Sequence, residues 1–232
     1  MKLSVLFAVL LCSPLLAQEH PDFSGTWMPD RSPDFERKAF PRANWPYTEY
    51  GQQLQDAYQA VFDPTKDDPS FFCVQPGMPE SMSPAAPFPL EVIQRENDIT
   101  MFFEAWSQYR KIYIDGYDRP EPILNSRAGY SVGHWEGDTL VIDTSYLSER
   151  LVGRTLMSDQ ATFTERLHLE TGGDGKRRLI SDIVFTDPVM YREPIIQRGV
   201  WVDSPNTPIL EYVCSDGIYA EHLEEVRAAG GR

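Results

Sequence analysis

From Leu90 onward the chain is built of short β-type runs separated by turn residues, and this spacing limits its fold more than any other feature. The runs cover 90–96, 99–106, 109–115, 129–135, 138–144, 161–170, 177–186, 194–203 and 209–213. Asn97-Asp98, Glu136-Gly137-Asp138 and Gly172-Gly173-Asp174-Gly175 supply hairpin turns between consecutive runs. Strands joined by tight turns pair antiparallel, and a meander this long closes on itself so that no edge is left unpaired. The expectation is a mostly all-β chain folded as an antiparallel up-and-down β-barrel.

Residues 29–89 have a different character, with eleven of the nineteen prolines falling there. Proline donates no ladder hydrogen bond, so at that density the segment is excluded from central strands. One periodic island remains. Tyr50, Leu54, Tyr58, Val61 and Phe62 recur at helical spacing behind Thr48, a capping residue type, which predicts one amphipathic helix over about 48–62. This stretch is read as an excursion from the barrel, its helix covering the core. The tail after Glu221 is charged, ends Ala-Ala-Gly-Gly-Arg, and is expected to fray.

The start of the chain, MKLSVLFAVLLCSPLLA, has a cationic Lys2, an apolar run from Leu3 to Leu11 and a small Ala17 ahead of Gln18. That is the pattern of a secretory signal peptide over 1–17, leaving a single domain over 18–232. The apolar run is too short to span a bilayer and Pro14 interrupts it. Leu11, before Cys12, stands where lipid attachment would call for a small residue. The expected location is therefore periplasmic or secreted. Losing Lys2 makes the formal charge one unit more negative than the −14 of the whole chain. A chain this acidic repels polyphosphates and anionic membranes, which argues against nucleic-acid binding.

The mature chain keeps two cysteines, Cys73 and Cys214. In an oxidising compartment the expectation is one disulfide across a long loop, worth roughly 2–4 kcal/mol. No Cys-x-x-Cys or His-x-x-x-His occurs, and His20, His134, His168 and His222 are scattered, so no metal site and no cofactor are expected. Gly129-Tyr130-Ser131-Val132-Gly133 spells Gly-x-Ser-x-Gly, but in a β-rich context rather than the strand-to-helix turn of a hydrolase elbow.

Alternate residues of a strand face opposite sides, so a charge in register with apolar residues is informative. Glu165 shares a face with Phe163, Leu167 and Leu169, Arg110 with Ile112 and Ile114, and Glu104 with Phe102 and Trp106. Turned into a barrel, these residues would line a mostly apolar pocket with a few polar groups, the usual make-up of a small-molecule site. A desolvated carboxylate there could act as a general acid or base near neutral pH. Alternatively, a buried Arg110–Glu165 pair fixes the barrel register. Most aromatic residues in the runs belong to the core, and a minority at a barrel mouth could stack on a ligand.

The segment Asp22-Phe23-Ser24-Gly25-Thr26-Trp27 resembles the first strand of lipocalins and related calycins. The resemblance implies a barrel with a ligand cavity, Trp27 at its closed end, and a late-strand arginine over that ring, for which Arg198 is the candidate. Over most of its length the chain also resembles a group of poorly characterised secreted bacterial proteins. The matching segments are Cys73 to Pro79, Pro89 to Gln94, Arg110 to Gly116, Ser131 to Thr144, Thr164 to Arg166 and Asp187-Pro188, that from Ser131 to Thr144 being the most specific. This likeness implies an architecture and no mechanism. Relatives often carry histidine where this chain has Tyr130, and a Pro-His-Ser segment near Ser158 to Gln160 is absent.

Together these features point to an exported, small-molecule-binding β-barrel, with three possibilities for its activity. A cofactor-independent lyase, isomerase or hydratase would use Glu165 as acid/base, Arg110 as anchor or oxyanion stabiliser, and Tyr130 as a second proton donor. Glu104, Trp106, Tyr113, Trp135 and His134 are the candidate ligand contacts. The alternatives are a non-catalytic carrier or sensor of apolar or aromatic molecules, and a structural envelope protein.

Overall fold

The computed structural model describes residues 20–41, 44–83, 87–115, 123–153 and 155–230, and the leader expected at 1–17 lies outside them. Nine strands close into a barrel in chain order. They are β1 (Gly25–Pro29), β2 (Leu90–Gln94), β3 (Asp98–Phe103), β4 (Gln108–Ile114), β5 (Tyr130–Glu136), β6 (Thr139–Ser145), β7 (Thr162–Thr171), β8 (Arg177–Thr186) and β9 (Ile195–Asp203). Eight runs expected from the sequence become β2 to β9, and the strand carrying Trp27 is β1. The closing contact is β1 against β9, with Trp27 opposite Asp203.

Two expectations are corrected together. The run at 209–213 is not a strand, because β1 already occupies the free edge of β9. That leaves an odd number of strands, and directions cannot alternate all the way round an odd ring. One pair must be parallel. It is β4 against β5, and its register covers only Ile112 with Ser131, Tyr113 with Val132, and Ile114 with Gly133. All other neighbours are antiparallel, so the barrel is a meander with one short parallel seam.

The proline-rich excursion leaves β1 and returns at β2, and it closes that end of the barrel. Its helix, α1 (Glu49–Gln59), lies inside the expected range, and the Thr48 hydroxyl caps it by accepting the Gly51 N–H at 3.1 Å. Gly51 is required where the helix crosses β9's approach, because a Cβ there would stand 2.5 Å from the Met190 carbonyl oxygen. Trp45 and Tyr47 stack on Tyr191, and Phe40 meets Phe185 of β8 at 5.8 Å. Met78 and Met82 are fully buried, and the Met82 carbonyl lies against Gly199 of β9 so closely that no side chain fits there.

The opposite end is filled from the N-terminus. Trp27 is fully buried and its indole N–H donates to the Phe23 carbonyl at 2.9 Å. Phe23 packs on Trp135, which also stacks flat on His20 at 4.4 Å. The arginine over the Trp27 ring is Arg177, with Cζ 5.2 Å from the ring centroid. Arg198 is not that residue. It faces outward on β9 and pairs with Asp182 and Glu170.

The Cys73–Cys214 disulfide forms, with Cα atoms 5.8 Å apart, and ties the excursion to the C-terminal segment. Directly after Cys214 the chain forms a helix, α2 (Ser215–Ala228), rather than a tail frayed from Glu221. This helix buries no residue, and its apolar Tyr219, Leu223 and Val226 are exposed. No helix among the described residues is long and apolar enough to cross a membrane.

Candidate functional site

Strand alternation places Glu165 and Arg110 inside the barrel, where they meet. Both side chains are fully buried, and Arg110 Nη1 donates to Glu165 Oε2 at 2.5 Å. Arg110 Nε donates to Ser131 Oγ and Nη2 to Thr144 Oγ1, each at 3.1 Å, and these two hydroxyls are 2.8 Å apart. The second carboxylate oxygen accepts the Ser181 hydroxyl at 2.5 Å. The guanidinium also lies over the Phe163 ring at 5.2 Å. Five adjacent strands, β4 to β8, thus each supply one polar residue, and the network spans the parallel seam.

Each charged group in this network has its partners supplied by protein. Its walls are core residues such as Ile112, Ile142, Leu167 and Ile183, all without exposed surface. The arrangement suits a clamp that holds five strands in register, since a buried ion pair needs all its hydrogen bonds satisfied to repay desolvation.

Tyr130 does not join Glu165 and Arg110. It neighbours Ser131 on β5, and because Ser131 points inward the Tyr130 ring lies on the outer face of the wall. There it packs against Tyr113 of β4, with ring centroids 5.3 Å apart. The expected three-residue catalytic set is therefore split across the two faces of the sheet.

The two tyrosines belong to a groove of about 380 Å³ on the outside of the barrel. Its origin is the short seam. The β4 segment Gln108–Arg110 precedes the first paired residue, Ile112, and so has no β5 partner, while the chain turns away from β5 at Gly129, whose φ is 69°. The sheet splays here, and Gln75, Ser126 and Arg127 come in from the loops to line the gap with Tyr109, Tyr113 and Tyr130.

The charges in the groove are Lys111 and Arg127. Lys111 Nζ pairs with Asp98 at 2.9 Å, and Asp98 also accepts from Arg95. Burial pushes the Asp98 carboxyl up, but hydrogen bonds from Lys111 and Arg95 outweigh it and hold the group below its ordinary range. Arg127 donates to the neutral Gln75 carbonyl at 2.9 Å and forms no ion pair among the described residues. Gln108, also part of the lining, is buried; its side-chain oxygen accepts from Ser81 at 2.9 Å, and its amide nitrogen has no partner among the described residues.

The remaining expected contacts lie elsewhere. Trp135 and His134 are at the far end of β5, about 13–16 Å along the strand from Tyr130 at roughly 3.3 Å per residue. Trp135 is used in packing on His20 and Phe23, and His134 is half-exposed beside Glu136 at 3.5 Å. Alternation carries Glu104 and Trp106 into β3, but β3 ends at Phe103 and Trp106 has a left-handed φ of 59°. Glu104 accepts the Leu210 backbone N–H at 2.7 Å and Trp106 packs on Tyr212, so both hold the 209–213 segment.

Lys111 and Tyr109 are legible in the sequence as the outer set of β4, alternating with Arg110 and Ile112. Arg127 and Gln75 have no such signal, because loop residues acquire neighbours only through the fold. Among the described residues no group of three His, Cys, Asp or Glu side chains is arranged to hold a metal ion. No protein-family model matches the chain, and no curated protein matches it either.

Proposed function

We propose that this chain is an exported β-barrel that binds a small molecule, without converting it, in the groove at the β4–β5 seam. The observation that carries the reading is the groove itself, where Tyr109, Tyr113 and Tyr130 surround a volume of about 380 Å³. That volume lies within the ordinary range for small-molecule sites, and tyrosine provides a flat apolar face with a polar tip. Export is supported by the leader-like pattern of residues 1–17 and by the disulfide, a bond that persists in oxidising compartments.

A non-catalytic role is favoured over acid/base chemistry by the position of Glu165. Its oxygens are committed to Arg110 and Ser181 in the sealed core, and the nearest groove tyrosine is on the other side of the wall. A general base must come within hydrogen-bond reach of the proton it takes.

The test is ligand-observed NMR with a diverse library of small molecules on the mature protein, repeated with a Tyr113→Ala/Tyr130→Ala variant whose circular dichroism is unchanged. Hits that vanish in the variant support the reading. A hit at 100 times its Kd should also add about 2.7 kcal/mol of stability. Hits that survive in the variant, or chemical conversion of a hit that depends on Glu165, would overturn it. Mass spectrometry of the exported protein should find Gln18 as the first residue.

A further inference from the structure

We infer that the ligand of the seam groove is an aromatic carboxylate, an inference that rests on the groove being a binding site. Acidic residues outnumber basic ones by 35 to 21 in this chain, yet among the described residues the groove lining holds two cations and no Asp or Glu. Of these, Lys111 is partly neutralised by Asp98, which it shares with Arg95. Arg127 is the stronger anchor: it is exposed, it donates to the neutral Gln75 carbonyl, and it pairs with no carboxylate among the described residues. A guanidinium presents paired N–H donors that match the two oxygens of a carboxylate.

The groove therefore offers donors from Arg127 and Lys111 at one side, and tyrosine faces for the body of the ligand. An acceptor-rich anionic group on a planar ring meets both demands, whereas an ammonium or a purely aliphatic acid meets one or neither.

Isothermal titration with naphthalene-2-carboxylate, its neutral amide and cyclohexanecarboxylate separates these demands. The aromatic carboxylate is expected to bind the mature protein about tenfold or more tightly than either of the others, since charge-assisted hydrogen bonds are roughly twice as strong as neutral ones. Arg127→Gln, an exposed change that leaves the core intact, should reduce the preference over the neutral amide to near unity. Equal binding of the carboxylate and the amide, each lost in Tyr113→Ala/Tyr130→Ala, would overturn the aromatic-carboxylate assignment and leave the groove a binding site. If none of the three probes binds, the assignment also falls, and hits in the wider library that depend on Tyr113 and Tyr130 decide whether the groove binds at all.

Discussion

Replacing Glu165 by leucine should destabilise the barrel strongly, and replacing Arg110 as well should restore most of what is lost. In Glu165→Leu the Arg110 guanidinium keeps the Ser131 and Thr144 hydroxyls and the Phe163 ring, but loses the 2.5 Å contact that neutralises it. An uncompensated buried charge costs about 3–5 kcal/mol. The Ser181 hydroxyl, 2.5 Å from the lost oxygen, is left without its acceptor, which adds about 1 kcal/mol. The expected total is about 4–6 kcal/mol, a large part of the roughly 5–15 kcal/mol that holds a domain folded. Arg110→Met strands the carboxylate instead and should cost a similar 3–5 kcal/mol. The double variant buries no charge, and Ser131 and Thr144 still bond each other at 2.8 Å. It should lie within about 2 kcal/mol of the wild type, because well-packed apolar residues replace a buried pair at little cost. Urea unfolding of all four proteins at matched m-values measures this coupling. Single variants within about 1 kcal/mol of the wild type, or a double variant equal to the sum of the singles, would refute the clamp.

Alkaline pH should loosen the plugged end. Burial pushes the Tyr47 hydroxyl up to about 12, and burial raises Tyr191 further. Because the folded values lie above the ordinary 10, their contribution is complete below pH 10 and falls as pH rises towards 12. Urea midpoints should decline in that window, and Tyr47→Phe should flatten the decline; a flat wild-type profile would contradict it. Cys214→Ser should cost about 2–4 kcal/mol. Closure over a separation of 141 residues is worth about 5 kcal/mol by loop entropy, but α2, which buries nothing, also gains freedom in the folded state once released. Hydrogen exchange should then show α2 amides exposed, and continued protection would count against the tether. Gly199→Ala should cost more than about 3 kcal/mol, because the Met82 carbonyl occupies the place of the new methyl. A midpoint unchanged from the wild type would show that the plug is not seated on β9.

Much of the wall is readable from alternation, because a half-buried strand imposes period two on its own sequence. Phe163, Glu165 and Leu167 face inward together as that period requires, and so do Arg110, Ile112 and Ile114. Alternation fails where the backbone breaks its own period. It carries Glu104 and Trp106 past the true end of β3 at Phe103, and a left-handed residue cannot be counted by alternation. The parallel seam is hidden for a different reason. With the 209–213 run counted, ten strands could alternate round a ring; only its exclusion from the sheet makes one parallel pair unavoidable. The groove is a product of that seam, so Arg127 and Gln75 cannot be joined to Tyr113 and Tyr130 from sequence. Arg177 displaces Arg198 over Trp27 because β9 turns Arg198 outward to Asp182.

The central claim is that ligand meets this barrel at the outer seam and not in its core. Chemical-shift mapping on the mature protein with naphthalene-2-carboxylate tests it most directly, following side-chain signals of Arg127 and the tyrosine rings alongside Arg110 Nε. Binding at the seam predicts saturable shifts at Arg127, Tyr113 and Tyr130 with Arg110 unmoved. Shifts centred on Arg110, with the seam residues silent, would contradict it.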